Sequence, residues 1–369
     1  MTFGKDKGRE LTMNAQMKKI LSIVVIVTVV ILVTINAVPA TKTRNVDTSN
    51  MCDEIPVKIV SLNPYIPTND NYEIAYVLGD KGNIYVLRCI DGKYDVDFWQ
   101  PEFWDGVEIT DLCAGYLMSY VLAIDKNGGI YIWDKEYGPG ARTTIESKKE
   151  EWNIKRLDSI PKVSDIFAAY NQFVIVTEAG DVYRWHPEEC QCPAVDEMER
   201  IDVEQPILEI AAIDDELLIL DRNHVLWSIE NGDSRCLQND VCDIAQGYNG
   251  FVVQTMNGEI YVNHIHLLEE GYDKAVFADK YEASKIVFDG TLSLLSVSGK
   301  AAVVCMDGDQ LYRWGRKDKR EWFGMYGGNE EVYDTPVKIN IGKPQYYTLI
   351  GKDMIYIDGQ GNMFVMIQE

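Results

Sequence analysis

One pattern recurs seven times between Cys52 and the end of the chain: an apolar stretch, a short turn with Gly or Asn, and a second apolar stretch. The copies are Ile74–Leu78 with Gly82–Tyr85, Val121–Ile124 with Gly128–Trp133, Phe173–Val176 with Gly180–Trp185, and Leu217–Leu220 with Asn223–Trp227. Phe251–Val253 with Gly258–Tyr261, Ala302–Val304 with Gly308–Trp314, and Met354–Ile357 with Gly361–Phe364 complete the set. Aligned positions 85, 131, 183, 226, 261, 312 and 364 lie 35 to 52 residues apart, the spacing of propeller and kelch units. Five copies carry Gly three residues before the aligned position, as a hairpin with one left-handed residue at its tip requires. Asn223, the next most tolerant type, fills that place in the fourth copy, and Gly308 is displaced by one in the sixth.

Each hairpin is preceded by another strand-like piece, such as Val163–Ala168 or Ile207–Ala211. Runs such as Phe173–Val176 are apolar at consecutive positions, so both of their faces need cover, as in sheets stacked around an axis. The 28 Gly and 12 Pro spread along the chain suit many short turns, and 21 Tyr with eight Trp suit pleated surfaces. Residues 52–369 are therefore expected to form an all-β, seven-bladed propeller of four-stranded blades. Pro56–Ile59 and Pro336–Ile339 are identical tetrapeptides, and the chain stops just after the last hairpin. The first of them, Pro56–Ile59, is expected to supply the missing edge of the last blade, an N-terminal strand that closes the ring.

Val303-Val304-Cys305-Met306-Asp307-Gly308-Asp309-Gln310-Leu311-Tyr312-Arg313-Trp314-Gly315, running on to Pro336-Val337, resembles the regulator-of-chromosome-condensation repeat family. The resemblance covers roughly residues 52 to 369 and implies a seven-bladed β-propeller. The founding member of that family is a nucleotide exchange factor for a small GTPase, and exported bacterial members include a β-lactamase inhibitor. No residue of either functional surface matches here, and an exported chain has no use for the GTPase role.

Residues 20–41 carry no charge and have an aliphatic centre, Ile23–Val33. As a helix they would reach roughly 33 Å, about the thickness of a bilayer's hydrocarbon. Lys5, Lys7, Arg9, Lys18 and Lys19 precede the run against Asp6 and Glu10, so the amino end is expected to stay in the cytoplasm. The expected order is a basic cytoplasmic segment (1–19), a transmembrane signal-anchor helix (20–41), a linker (42–51) and an extracytoplasmic propeller (52–369). Val38-Pro39-Ala40 leaves open cleavage as a signal peptide and secretion.

The chain has 58 acidic and 35 basic side chains, a formal charge of -23, which argues against nucleic acid as a partner. No phosphate-cradling loop, nucleophile elbow or metalloprotease helix occurs, and no cofactor is expected. His264 and His266 would leave one face of a strand, as two metal ligands require, but no third ligand is fixed beside them. Cys236 and Cys242 could close a small disulfide loop in an oxidising exterior, whereas Cys89, Cys113 and Cys305 read as small core residues. Asp105, Asp125, Asp307 and Asp309 read as solvated turn carboxylates. Aromatic loops at Trp99, Phe103 and Trp104, at Tyr137–Trp152, and at Trp322, Phe323 and Tyr326 are the candidates for a binding rim on one face. Trp133, Trp185, Trp227 and Trp314 are assigned to packing between blades. The expected function is a non-catalytic binding module for another protein or a cell-surface polymer. The alternative is an exported metal-assisted lyase or hydrolase using His264 and His266.

Overall fold

The computed structural model describes residues 41–51, 53–61, 72–90, 93–98, 106–114, 120–134, 154–170, 172–186, 197–203, 206–247, 250–263, 273–287, 292–298, 301–306, 310–316, 332–339, 341, 344–350 and 353–368. Their strands pair into seven small antiparallel sheets, six of four strands and one of five. In the first, Pro56–Ser61, Tyr72–Gly79, Ile84–Ile90 and Lys93–Phe98 lie side by side in chain order. The first strands of the seven are Pro56–Ser61, Ile109–Ala114, Val163–Ala169, Ile207–Ile213, Val241–Gly247, Leu292–Ser298 and Pro344–Ile350. Each lies beside the first strand of the next sheet, and Pro344–Ile350 lies beside Pro56–Ser61. This is an all-β propeller of small antiparallel sheets.

The second strands Tyr120–Asp125, Gln172–Thr177 and Gly250–Thr255 are buried at every residue, as consecutive apolar side chains between two neighbouring sheets require. Where the first sheet faces the second, Tyr76 and Trp133 pack edge to face with ring centroids 5.6 Å apart. Trp133 and Trp185 are buried, and Trp227 is half-buried.

Three of the turns between second and third strands share one construction, with an aspartate at their start. Asp125 Oδ1 accepts from the amides of Asn127 (2.8 Å) and Gly129 (2.9 Å), and its Oδ2 accepts from the Tyr131 hydroxyl at 3.0 Å. Asp221 does the same for Asn223, Val225 and the Trp227 indole, and Asp358 for Gln360 and Asn362. Asp125 is therefore buried, not a solvated turn carboxylate, because two backbone donors and a phenol replace its water. Asp105, Asp307 and Asp309 lie outside the described residues.

Counting from the capping Asp corrects the fourth repeat. The left-handed residue stands three positions after Asp in Asp125/Gly128 and Asp358/Gly361. After Asp221 that position is His224 (φ 63°), not Asn223. The carbonyl of this residue receives the next sheet: the Ile109 amide donates to Gly82 O (3.0 Å), Val163 to Gly128 O (3.0 Å) and Val241 to His224 O (3.1 Å). His224 Nδ1 also lies 3.1 Å from the Val241 carbonyl.

Closure departs from the expectation for Pro56–Ile59. That segment pairs with Tyr72–Gly79 as the first strand of the first sheet, whereas Thr41–Asn45 lies beside Met363–Gln368 and completes the last one. Pro336–Ile339, its sequence twin, belongs to the outermost strand of the sixth sheet, so the two are not equivalent. The physical reason is order along the chain: after Thr41–Asn45, the Val46 amide donates to Met363 O and the Asp47 amide to Tyr94 O, which stitches the last sheet to the first before Pro56 begins its strand. Val46 and Met51 join Ile59, Val77, Ile355 and Ile357 in one core cluster across that joint. Thr41 thus opens a strand; the rest of the 20–41 run lies outside the described residues, among which no helix is long and apolar enough to cross a membrane.

Two predictions follow from this geometry. A Cβ on Gly82 would meet the Ile109 backbone nitrogen at 2.8 Å, whereas a Cβ on Gly180 meets nothing within 4 Å. Urea unfolding should therefore show Gly180→Ala losing about 1 kcal/mol for its left-handed backbone and Gly82→Ala about 2–3 kcal/mol; equal losses would contradict the interlock. A chain starting at residue 48 should melt roughly 5 °C or more below one starting at residue 40, because the last sheet then lacks its fourth strand.

Candidate functional site

Every first strand carries the same irregularity. Its register against the second strand slips between the first and third residues, at Pro56/Lys58, Ile109/Asp111, Val163/Asp165, Ile207/Glu209, Val241/Asp243, Leu292/Leu294 and Pro344/Tyr346. A bulge adds one residue to the strand and re-aims the side chain that follows it. Because the first strands ring the axis, the third positions gather there: Lys58, Asp111, Asp165, Glu209, Asp243 and Tyr346, with Leu294 the one apolar member.

Lys58 Nζ pairs with Asp111 Oδ1 at 2.5 Å. Burial opposes its charge, but Asp111 and the other anionic groups hold its pKa above the ordinary value. Tyr346 donates its hydroxyl to the Ile59 carbonyl at 3.0 Å, and burial raises its pKa. Glu209 is open to the axial space yet walled by protein. That confinement pushes its carboxyl up to about 7, with Lys58 opposing and Asp111 reinforcing the rise. Asp243 on the next sheet also rises to about 7, first from confinement and then from the charge of Glu209. Among the described residues the axis is thus a lined electrostatic site with one cation, paired to Asp111, facing several carboxyls.

The two faces of the ring differ. One carries the tight second-to-third turns. At the other, third strands ending at Asp134, Trp185, Asn263 and Arg316 deliver the chain into connections of nine to twenty residues before the next strand begins. Connections this long in a compact domain are usually functional.

Trp99, Phe103, Trp104, His264, His266, Trp322, Phe323 and Tyr326 lie outside the described residues, as does 137–152. Their flanking strands nevertheless separate them. Phe98 pairs with Tyr85 beside the Gly82 turn, and Ile109 bonds to Gly82 itself, so the strand ends flanking 99–105 stand at the turn face. Arg316 pairs with Val332 at the end of the sheet opposite the Met306–Gln310 pair, so the strand ends flanking 317–331 stand at the other face. Cys236 and Cys242 are free thiols on successive sheets, and Cys242 Sγ donates to Gln254 Oε1 at 3.3 Å. Cys89 and Cys113 are buried. Among the described residues no three His, Cys, Asp or Glu side chains are grouped to hold a metal ion. The axial site was missed in the sequence because its members share only a place after a bulge, which no motif announces.

A carboxyl whose folded pKa lies above its unfolded value destabilises the fold as pH rises, since the unfolded chain releases its proton first. For Glu209 the cost develops between about pH 4.5 and 7 and is complete above that. Glu209→Gln should therefore raise the melting temperature at pH 8 by ~2 °C or more and change it little at pH 4.5; a pH-independent difference would mean the carboxyl is not confined.

No protein-family model matches the sequence, and neither does any curated protein. Solved structures do. Human WBSCR16 is 13% identical, over 81% of this chain and 85% of that one, with a TM-score of 0.53. Prp20p of Saccharomyces cerevisiae, described with its binding to Gsp1p and histones, is 13% identical over 80% of each chain at a TM-score of 0.50. PorZ, a surface component of the type-IX secretion system of Porphyromonas gingivalis, is 12% identical at a TM-score of 0.52; the match covers 87% of this chain and 37% of PorZ. Prp20 is the yeast RCC1, and at these identities the likeness shows the fold: an RCC1-like β-propeller.

Proposed function

We propose that the chain is a non-catalytic binding module whose seven sheets are the seven blades of one closed ring, displayed outside the cell on a single membrane anchor. The observation that carries the binding reading is the grouping of the long third-to-fourth connections on one face of a rigid ring. A ring of buried second strands holds such connections in fixed relative positions, which limits the ordering cost when a partner docks. Trp322, Phe323 and Tyr326 fall in one of these connections and are the proposed anchors. Trp99, Phe103 and Trp104 follow a strand that ends at the turn face and are proposed as a separate contact. The acidic charge of -23 favours a cationic or neutral partner surface. Support for a protein partner comes from Prp20, solved bound to Kap60. Support for display outside the cell comes from the uncharged run 20–41 with its basic flank.

Photoreactive residues placed singly at positions 322, 326, 99 and 104 in the native host test this reading. Positions 322 and 326 should yield a discrete crosslinked protein, and 99 and 104 should not yield the same one. Protease added to intact cells should remove the ring while sparing the amino end. Crosslinking that is absent from 322 and 326, or a ring protected from external protease, would overturn the corresponding half of the proposal.

A further inference from the structure

The fifth sheet alone, among those described, carries an added strand, Asp273–Phe277, on its outer edge. This strand walls a groove of about 560 Å3 along the seam between the fourth and fifth sheets. Leu237, Tyr261 and Phe277 give it an apolar lining, and Met256 and Val276 stand at the surface. At 52% and 60% exposure these two are the most exposed of five large apolar side chains at the described surface. Asp240 and Asp279 supply its free carboxylates: among the described residues neither has an ion-pair partner, whereas Glu259 is already held by Lys285 and the Tyr261 hydroxyl. No Lys, Arg or His lines it.

Its edges are also where the backbone is unusual. Ala278 and Asp279, in the three-residue turn 278–280, both have positive φ, 52° and 54°, and the Lys280 amide donates to Phe277 O at 3.1 Å. Asp240 is left-handed too, at 60°. Ala is a poor residue for that conformation, where Asn or Gly would serve better. Exposed apolar side chains, an inserted strand and an unfavourable turn converge on one place.

We propose that this seam is a docking groove for an extended, lysine- or arginine-bearing peptide segment of a partner protein. An extended segment alternates its side chains, so aliphatic residues can meet Met256 and Val276 while basic ones reach Asp240 and Asp279. The groove shares no residue with the aromatic connections and stands or falls independently of them.

The test pans the immobilised full chain against a displayed library of random decapeptides, with counter-selection on a Met256→Ser/Val276→Ser variant. Sequences alternating Lys or Arg with Val, Ile or Leu should be enriched. A synthetic peptide of the leading sequence should bind about tenfold more weakly to that variant and to Asp240→Asn/Asp279→Asn. It should bind unchanged to Val57→Ser, an exposed apolar control outside the groove. Asn tolerates left-handed backbone, and all substituted side chains are at the surface, so unchanged melting curves accompany a valid result. No enrichment, enrichment of acidic or neutral sequences, or equal binding to the groove variants overturns the proposal.

Discussion

The left-handed residue of each second-to-third turn is the joint on which the ring depends. As Gly it reverses the chain without the steric cost of a Cβ, and at Gly82, Gly128 and His224 its carbonyl takes the first amide of the neighbouring sheet. At Gly82 and Gly128 that neighbour comes so close that a Cβ would meet its backbone at 2.8–3.1 Å. Across the closing joint Gly361 faces the Ile55 side chain instead, because the strand that follows opens on Pro56, which has no amide to donate. His224 shows the alternative. Its Cβ accepts the left-handed conformation, and the imidazole then adds a second contact to the same Val241 backbone. The aspartate three residues earlier fixes the turn so that this carbonyl points outward to the next sheet.

This joint explains what the sequence disclosed and what it concealed. Turn glycines, buried second strands and aromatic third strands repeat because each answers a demand made at every sheet, and their period exposed the propeller. The fourth repeat was read one residue out of step because tolerance for positive φ was assigned to Asn223; the capping Asp221 is the better ruler, since its carboxylate reaches only the amides two and four positions on. The closing strand escaped because Thr41–Asn45 is short and polar, with nothing in its pattern to separate it from a linker. The Pro-Val-Lys-Ile repeat misled for a related reason: a tetrapeptide that fits both a first strand and an outer strand carries no information about which it will become.

The axial site was illegible for a different cause. A bulge shifts the side-chain period by one, so alternation along the strand no longer tells which residues face the axis. Once the register is known, the pattern is plain in six of the seven sheets: apolar or proline at the first position, then a polar or charged residue two places on, with Leu294 the exception. The site is electrostatically unbalanced because Lys58 is matched to Asp111, while confinement raises Glu209 and Asp243, the latter also through the charge of Glu209. Such a ring is more stable with those carboxyls protonated, so its own axis favours mildly acidic conditions.

The added strand of the fifth sheet shows how the architecture tolerates novelty. Each sheet answers only to its two neighbours, so an extra strand at an outer edge disturbs nothing at the axis. It is tied down locally instead. Tyr281 donates to Glu216 Oε1 of the fourth sheet at 2.5 Å, and Lys280 reaches the same oxygen at 2.6 Å. Burial works against the Glu216 charge, yet the bonds from Lys280, Ser228 and Tyr281 hold its pKa below the usual range, while burial and Glu216 together drive the Tyr281 phenol upward. Both shifts point to one arrangement, an ionised carboxylate gripping a neutral phenol and an ammonium. The insertion is therefore latched across the seam rather than hung from its own sheet, and it holds the groove walls at a fixed separation. A strand kept only as ornament would need no such latch, nor would it leave Val276 facing water beside it.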